Sequence, residues 1–125
     1  MFIRTIILFF SLLIASTSFA AGKPFDQATF DQARKDGKPI LVMIHADWCP
    51  TCRAQGKVVD NLAAKLEFAT FQILRVDYDK QKGFVSVFKV PRQSSLIVYK
   101  GKTEVARSTG ETSEDMIAAM MRKAL

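Results

Sequence analysis

The chain contains only two cysteines, and they fall in one short motif, Cys49-Pro50-Thr51-Cys52. At the start of a helix, thiols at this spacing lie close enough to form a disulfide. Cys49 then occupies the first turn, where unpaired backbone N–H groups and the helix dipole favour a thiolate. Pro50 suits the first helical position, because the N–H it lacks would have no partner there. Cys52 lies about one turn deeper and is expected to be more buried. The pair predicts one exposed, acidic thiol that attacks and one sheltered thiol that resolves the resulting bond. Two other uses of the same cysteines stay open: thiolate ligation of a soft ion such as copper, and a structural disulfide in a redox-inert adaptor. A structural zinc site is disfavoured, since two cysteines and a single histidine cannot supply four ligands. The methionines of the last helix read as core fill rather than as copper ligands. No metal and no cofactor is expected.

The motif needs a rigid support. Residues 40–44, ILVMI, form an apolar run that leads through His45, Ala46, Asp47 and Trp48 to Cys49. Both faces of that strand, 40–45, are apolar, so it is expected in the centre of a sheet. Behind Cys52, residues Val58, Val59, Leu62, Ala63 and Leu66 recur at helical spacing, which predicts a helix to about Glu67. Upstream, residues 25–36 predict a short helix with Asp26 as N-cap and Gly37 as its stop. Downstream, 71–78 reads as a second central strand, 79–83 as a turn or helix start, and 84–88 as a short helix. Residues 96–99 and 103–108 form a hairpin around Lys100-Gly101-Lys102. The last helix follows Gly110, with Thr112 and Asp115 at capping-box spacing and Met116, Ile117, Met120 and Met121 on its apolar face.

The first twenty residues are not part of this pattern. Arg4 supplies a basic start, 6–15 is an apolar run, and Ser18-Phe19-Ala20 ends it with small residues at the right places. This predicts a signal peptide over 1–20, cut between Ala20 and Ala21, and a domain over 21–125. A domain of about 105 residues can bury a modest core without staples. Export would place it in an oxidising compartment, with a bacterial periplasm as the expected location. The net charge of +6 comes from scattered Lys and Arg rather than a dense run. It reads as a solvated surface, not as a nucleic-acid site.

The apolar strand, the Ala46-Asp47-Trp48-Cys49-Pro50-Thr51-Cys52 segment and the helical pattern after it closely resemble the thioredoxin family. The resemblance covers 24–125. It implies an α/β thioredoxin-like fold, with a mixed central sheet of about four strands flanked by helices and no long N-terminal strand. It implies a thiol:disulfide oxidoreductase in which Cys49 is the nucleophile and Cys52 the resolving thiol. Trp48, Pro50 and Thr51 would contact substrate. The Pro-Thr pair resembles that of membrane-tethered reductants for cytochrome c maturation. Lys38-Pro39 with Ala46-Asp47-Trp48-Cys49 resembles the thioredoxin-like domain of a periplasmic electron-import protein. Both lean towards a reductant. The implied partners are protein disulfide or dithiol substrates and a membrane redox partner that resets the site, with the chain acting as a monomer.

Three positions depart from the family pattern. The family's cis-proline opposite the cysteines aligns without gaps with Ser94; a gapped alignment would instead use Pro91. A cis bond before serine costs about 2.5–4 kcal/mol, so a trans bond is expected at Ser94. Its hydroxyl would face the sulfurs and join the substrate-contacting residues, and Ser94→Pro should be compatible with the fold. The buried aspartate that many thioredoxins carry below the cysteines is Met43 here, and its lysine partner is Ile73. The usual proton carrier for Cys52 is therefore missing. His45, on the same side of its strand as Met43, is the candidate proton or charge modulator. Arg53, at a common basic position of the family, reads as a solvated helix residue.

Overall fold

The computed structural model describes residues 22–125. The expected signal peptide, 1–20, lies outside the described residues. The elements in order are β1 (Lys23–Pro24), α1 (Gln27–Lys35), β2 (Pro39–His45), α2 (Pro50–Ala63), β3 (Gln72–Asp77), α3 (Lys82–Phe88), β4 (Ser95–Lys100), β5 (Thr103–Thr109) and α4 (Glu114–Arg122). They form a mixed sheet of order β1-β3-β2-β4-β5. β2 is its middle strand, parallel to β3 and antiparallel to β4.

The apolar run 40–44 explains that placement. Alternate side chains of a strand point to opposite faces, and both faces of β2 are covered. Leu41 and Met43 join Val59, Leu62, Phe68, Leu96, Val98, Ile117 and Met121 in one core cluster beneath α2 and α4. Ile40, Val42 and Ile44 join Phe25, Phe30, Leu74, Val76, Phe88 and Ile97 in the other, beneath α1 and α3. Burial of a large aliphatic side chain stabilises by about 1.5–3 kcal/mol, so β2 is the strand least free to move. Its C-terminal end is the platform for the cysteines.

The sheet has five strands where about four were expected. The extra strand, β1, has only two residues, paired with Leu74 and Arg75 of β3; two residues are too few to show a period. α1 starts as expected, with the Asp26 carboxylate accepting from the Thr29 N–H at 2.8 Å. α2 stops at Ala63, short of Glu67. The chain turns extended at Lys65 and a 3₁₀ turn at Leu66–Phe68 follows. That turn puts Phe68 into the core at 1% exposure and leaves Leu66 in solvent at 95%. Leu66 thus continued the helical period without belonging to it. α4 is capped by Ser113, whose hydroxyl accepts from the Met116 N–H, and not by Thr112. The Thr112 and Ser113 N–H groups instead donate to the Glu111 carboxylate. Ile117, Met121 and Ala124, spaced at i, i+4 and i+7, are buried together, and Met116 lies off that face and is exposed. Among the described residues, no helix is long and apolar enough to cross a membrane.

Candidate functional site

The chain leaves β2 at His45, makes a tight turn and enters α2. The Cys49 N–H donates to the Ala46 carbonyl at 3.1 Å, and the Arg53 guanidinium donates to the Asp47 carbonyl at 2.9 Å. The Trp48 indole N–H donates to the Asp79 carboxylate at 2.7 Å, which ties this turn to the one after β3. That second turn is shaped by Asp77, which accepts from the N–H groups of Asp79 and Lys80.

Cys49 is the N-cap of α2 and Pro50 its first residue. The Cys49 sulfur does the work of a capping oxygen, accepting from the Cys52 N–H at 3.1 Å. Both cysteines are free thiols, packed with Ala46 and Tyr78. Cys49 was expected to be exposed, yet only 3% of its surface is open, against 1% for Cys52. Its neighbours supply the access instead: Trp48 is 57% exposed, Pro50 is exposed and Thr51 half-buried. Cys49 is thus a buried thiol flanked in sequence by the exposed Trp48 and Pro50.

The two thiols are electrostatically unlike. Burial pushes the Cys49 thiol up, but hydrogen bonds from Cys52, from the Gln93 side chain and from the Thr51 backbone outweigh it, and the net shift is downward. Burial, the hydrogen bond to Cys49 and the charge of Cys49 push the Cys52 thiol up to about 11, against smaller opposing contributions from the backbone of Ala46 and Ser94. Met43 and Ile73 are both buried in the apolar core, so the positions of the family's buried ion pair hold no charge.

Ser94 immediately precedes β4, and its backbone is one of the groups acting on the Cys52 sulfur. Its N–H donates to the Ile44 carbonyl at 2.8 Å. Its carbonyl accepts from the Gly110 N–H and from the Gln55 side chain, both at 2.9 Å. Ser94 is 3% exposed and left-handed, with φ of +62°. Among the described residues there is no cis peptide bond, and Pro91 is exposed in the preceding loop. The expectation that Ser94→Pro would suit the fold fails here. Proline fixes φ near −65° and has no N–H to give Ile44.

His45 is not among the groups that shift either sulfur. Its Nε2 lies 3.1 Å from the Asp47 carboxylate, and the ring lines a surface cavity of about 410 Å³ with Pro24, Arg75, Asp77, Lys80 and Gln81. The register explains this: His45 pairs with Asp77 at the open end of β3, not with the turn that carries Cys49. Neither that cavity nor one of about 440 Å³ beside α1 is lined by a cysteine. Among the described residues, no group of three or more His, Cys, Asp or Glu could hold a metal ion.

Two residues here escaped sequence reasoning. Gln93 bonds to Cys49 from the loop before Ser94. Gln55, in α2, is 2% exposed and donates to the carbonyls of Ser94 and Glu111. Neither carries a motif; a polar residue on a helix normally reads as solvent-facing.

Comparison with known proteins agrees with this geometry. The thioredoxin family model matches residues 22–123. The thioredoxin of Chlamydia muridarum is 33% identical over 84 residues, covering 67% of this chain and 80% of that one. The thiol:disulfide interchange protein DsbE of Yersinia pestis is 52% identical over 44 residues, covering 35% of this chain but only 21% of that protein. Among solved structures, Trxlp from Edwardsiella tarda EIB202 superposes with a TM-score of 0.76 at 38% identity, covering 78% of this chain and 95% of that one.

Proposed function

The chain belongs to the thioredoxin family and is a thiol:disulfide oxidoreductase; from that premise we propose that it acts outside the cytoplasm as a reductant of protein disulfides. The Cys49 thiolate attacks one sulfur of a substrate disulfide. A mixed disulfide forms and the other substrate sulfur leaves as a thiolate. Cys52 then gives its proton to the released substrate thiolate, directly or through water, and attacks the Cys49 sulfur. The Cys49–Cys52 disulfide closes and the second substrate thiolate departs. Two electrons have passed to the substrate, and a dithiol partner at the membrane restores the pair by the same steps in reverse.

The observation that carries the assignment of roles is the inequality of the two thiols. Cys49 caps α2, accepts the Cys52 N–H and is shifted towards the thiolate, while Cys52 is held protonated. The exposed Trp48 and Pro50 on either side of Cys49 support a protein substrate docking beside it. The reductant direction is supported by the Pro50-Thr51 pair and its resemblance to cytochrome c maturation reductants. The leader-like pattern of 1–20 supports export to a periplasm, and the absence of a basic run argues against a nucleic-acid partner. The chain is taken to act as a monomer.

The test is to express Cys52→Ala with its own leader and identify the proteins trapped on Cys49. Mixed disulfides with exported proteins are expected. No trapped partner, with stoichiometric copper on the wild type, would replace this reading with a copper-binding module. No trapped partner and a wild-type disulfide that resists dithiols would replace it with a structural disulfide. A mature N-terminus at Met1 would overturn the cleaved-leader claim.

A further inference from the structure

The loop before β4 approaches the sulfurs in a conformation that its own sequence does not favour. Left-handed backbone is unfavourable for a residue with a Cβ, and Ser94 adopts it with φ of +62°. Both of its peptide groups are pinned from outside the loop. The N–H is held by the Ile44 carbonyl of β2, and the carbonyl by the Gly110 N–H and Gln55. Gln55 is the only side chain among these holds. It lies one turn beyond Cys52 on α2. Its Nε2 makes two bonds of 2.9 Å, one to Ser94 and one to Glu111, so both amide hydrogens are used on separate loops. A buried carboxamide is costly unless its bonds are made, and at 2% exposure this one has no solvent to fall back on. The Gly110 turn is closed from the other side by Arg92, whose guanidinium lies 3.2 Å from where a Cβ on Gly110 would stand. α2, the Ser94 loop and the 110–111 loop are thus joined at one atom.

We propose that Gln55 is a positioning residue for thiol exchange: its carboxamide locks the Ser94 loop over the two sulfurs, the task that a constrained proline would otherwise perform. The proposal deepens the oxidoreductase reading and rests on it for its meaning in catalysis. Gln55 touches neither substrate nor sulfur. It acts through its neighbours: the Ser94 N–H shares the Ile44 carbonyl with the Cys52 thiol, at 2.8 and 4.0 Å, and the adjacent Gln93 is one of the groups that lower the Cys49 thiol.

The experiment uses the reduced protein with Gln55→Met, which keeps the side-chain length and removes the N–H donors. The readouts are the pH midpoint of iodoacetamide alkylation at Cys49 and the rate of reduction of a peptide disulfide. With the loop released, Cys49 loses the Gln93 bond. Its midpoint should rise by roughly half a pH unit or more, a threefold loss of thiolate below the midpoint, and peptide-disulfide reduction at neutral pH should slow with it. Ser94→Gly added to Gln55→Met should restore part of the midpoint, because glycine enters the left-handed conformation without the steric cost that serine bears. If Gln55→Met does not fold, Gln55→Asn serves instead, an uncharged carboxamide one methylene too short to reach both carbonyls, with the same upward shift expected. An unchanged midpoint in a folded variant, even one of lowered stability, would overturn the proposal and leave Gln55 a packing residue. A wild type that fails to reduce the peptide disulfide, yet shows the midpoint shift in Gln55→Met, would count against the functional reading and for the clamp.

Discussion

Substitution of Ser94 separates the observed loop from the family's proline arrangement. In the structure Ser94 has φ of +62° and donates its N–H to Ile44 at 2.8 Å. Ser94→Pro can satisfy neither feature. Losing that N–H leaves the buried Ile44 carbonyl only the weak 4.0 Å contact from the Cys52 thiol, which costs about 1–3 kcal/mol. Together with the forbidden φ, the penalty should reach at least about 3 kcal/mol. Ser94→Gly acts in the opposite sense. Relief of the left-handed strain is worth about 1–2 kcal/mol, and the added freedom of the unfolded chain takes back about 0.5–1 kcal/mol. The net gain lies between about 0 and about 1.5 kcal/mol. Ser94→Ala keeps the strain and should be close to wild type. For a domain of this size 1 kcal/mol corresponds to about 4 °C in Tm. Thermal unfolding of the reduced proteins should therefore show Ser94→Gly at or slightly above wild type and Ser94→Pro at least about 12 °C below it. Wild-type stability in Ser94→Pro, with destabilisation in Ser94→Gly, would show that the loop prefers the proline geometry and would refute the left-handed assignment.

The other predictions concern the thiols and α2. Iodoacetamide should modify Cys49 with a midpoint below the free-thiol value of about 8.5, and Cys52 only as the pH nears 11; mass spectrometry of partial products gives the order, and faster labelling of Cys52 would reverse the roles. The stability of the reduced protein should fall between about pH 8.5 and 11, by up to about 1.4 kcal/mol per pH unit, in denaturant titrations. The sign follows from Cys52: the unfolded chain releases its proton first, while the fold retains it up to about 11. Cys52→Ala should lack this fall, whereas Cys49, shifted downward, contributes a rise over a lower pH range. Gln93→Leu should raise the Cys49 midpoint without moving that of Cys52, since Gln93 bonds only the former among the groups acting on the two sulfurs. Gly56→Ala should stabilise the protein by up to about 1 kcal/mol: Gly56 lies within α2, and an added Cβ meets nothing within 4 Å. A loss of stability there would mean that the helix uses the flexibility of Gly56.

The parts of this molecule that were legible in its sequence are those whose causes are local. β2, the cysteine turn and the start of α2 follow from consecutive residues, and the helix N-terminus that favours a thiolate is made by the motif itself. The end of α2 was misread because Leu66 keeps the helical period while the backbone has already turned at Lys65, and only the packing of Phe68 selects the 3₁₀ path. For His45, strand alternation gives a side but not a neighbour; its neighbours come from β3 and from Asp47. The Ser94 loop marks the deeper limit. An alignment can say which residue replaces a proline, but not which conformation it takes. That choice is made by Ile44, Gly110 and Gln55, and the Gln55 contact spans 39 residues of chain. Such partners leave no pattern in the sequence, because a carbonyl belongs to every residue and a helical glutamine reads as solvent-facing. Reactivity at Cys49 is thus set in two layers. The motif supplies the thiolate, and a set of long-range hydrogen bonds fixes what stands opposite it. Substitutions outside the motif, at Gln55, Gln93 and Ser94, should accordingly tune the reactivity of the pair while the Cys49-to-Cys52 segment stays unchanged.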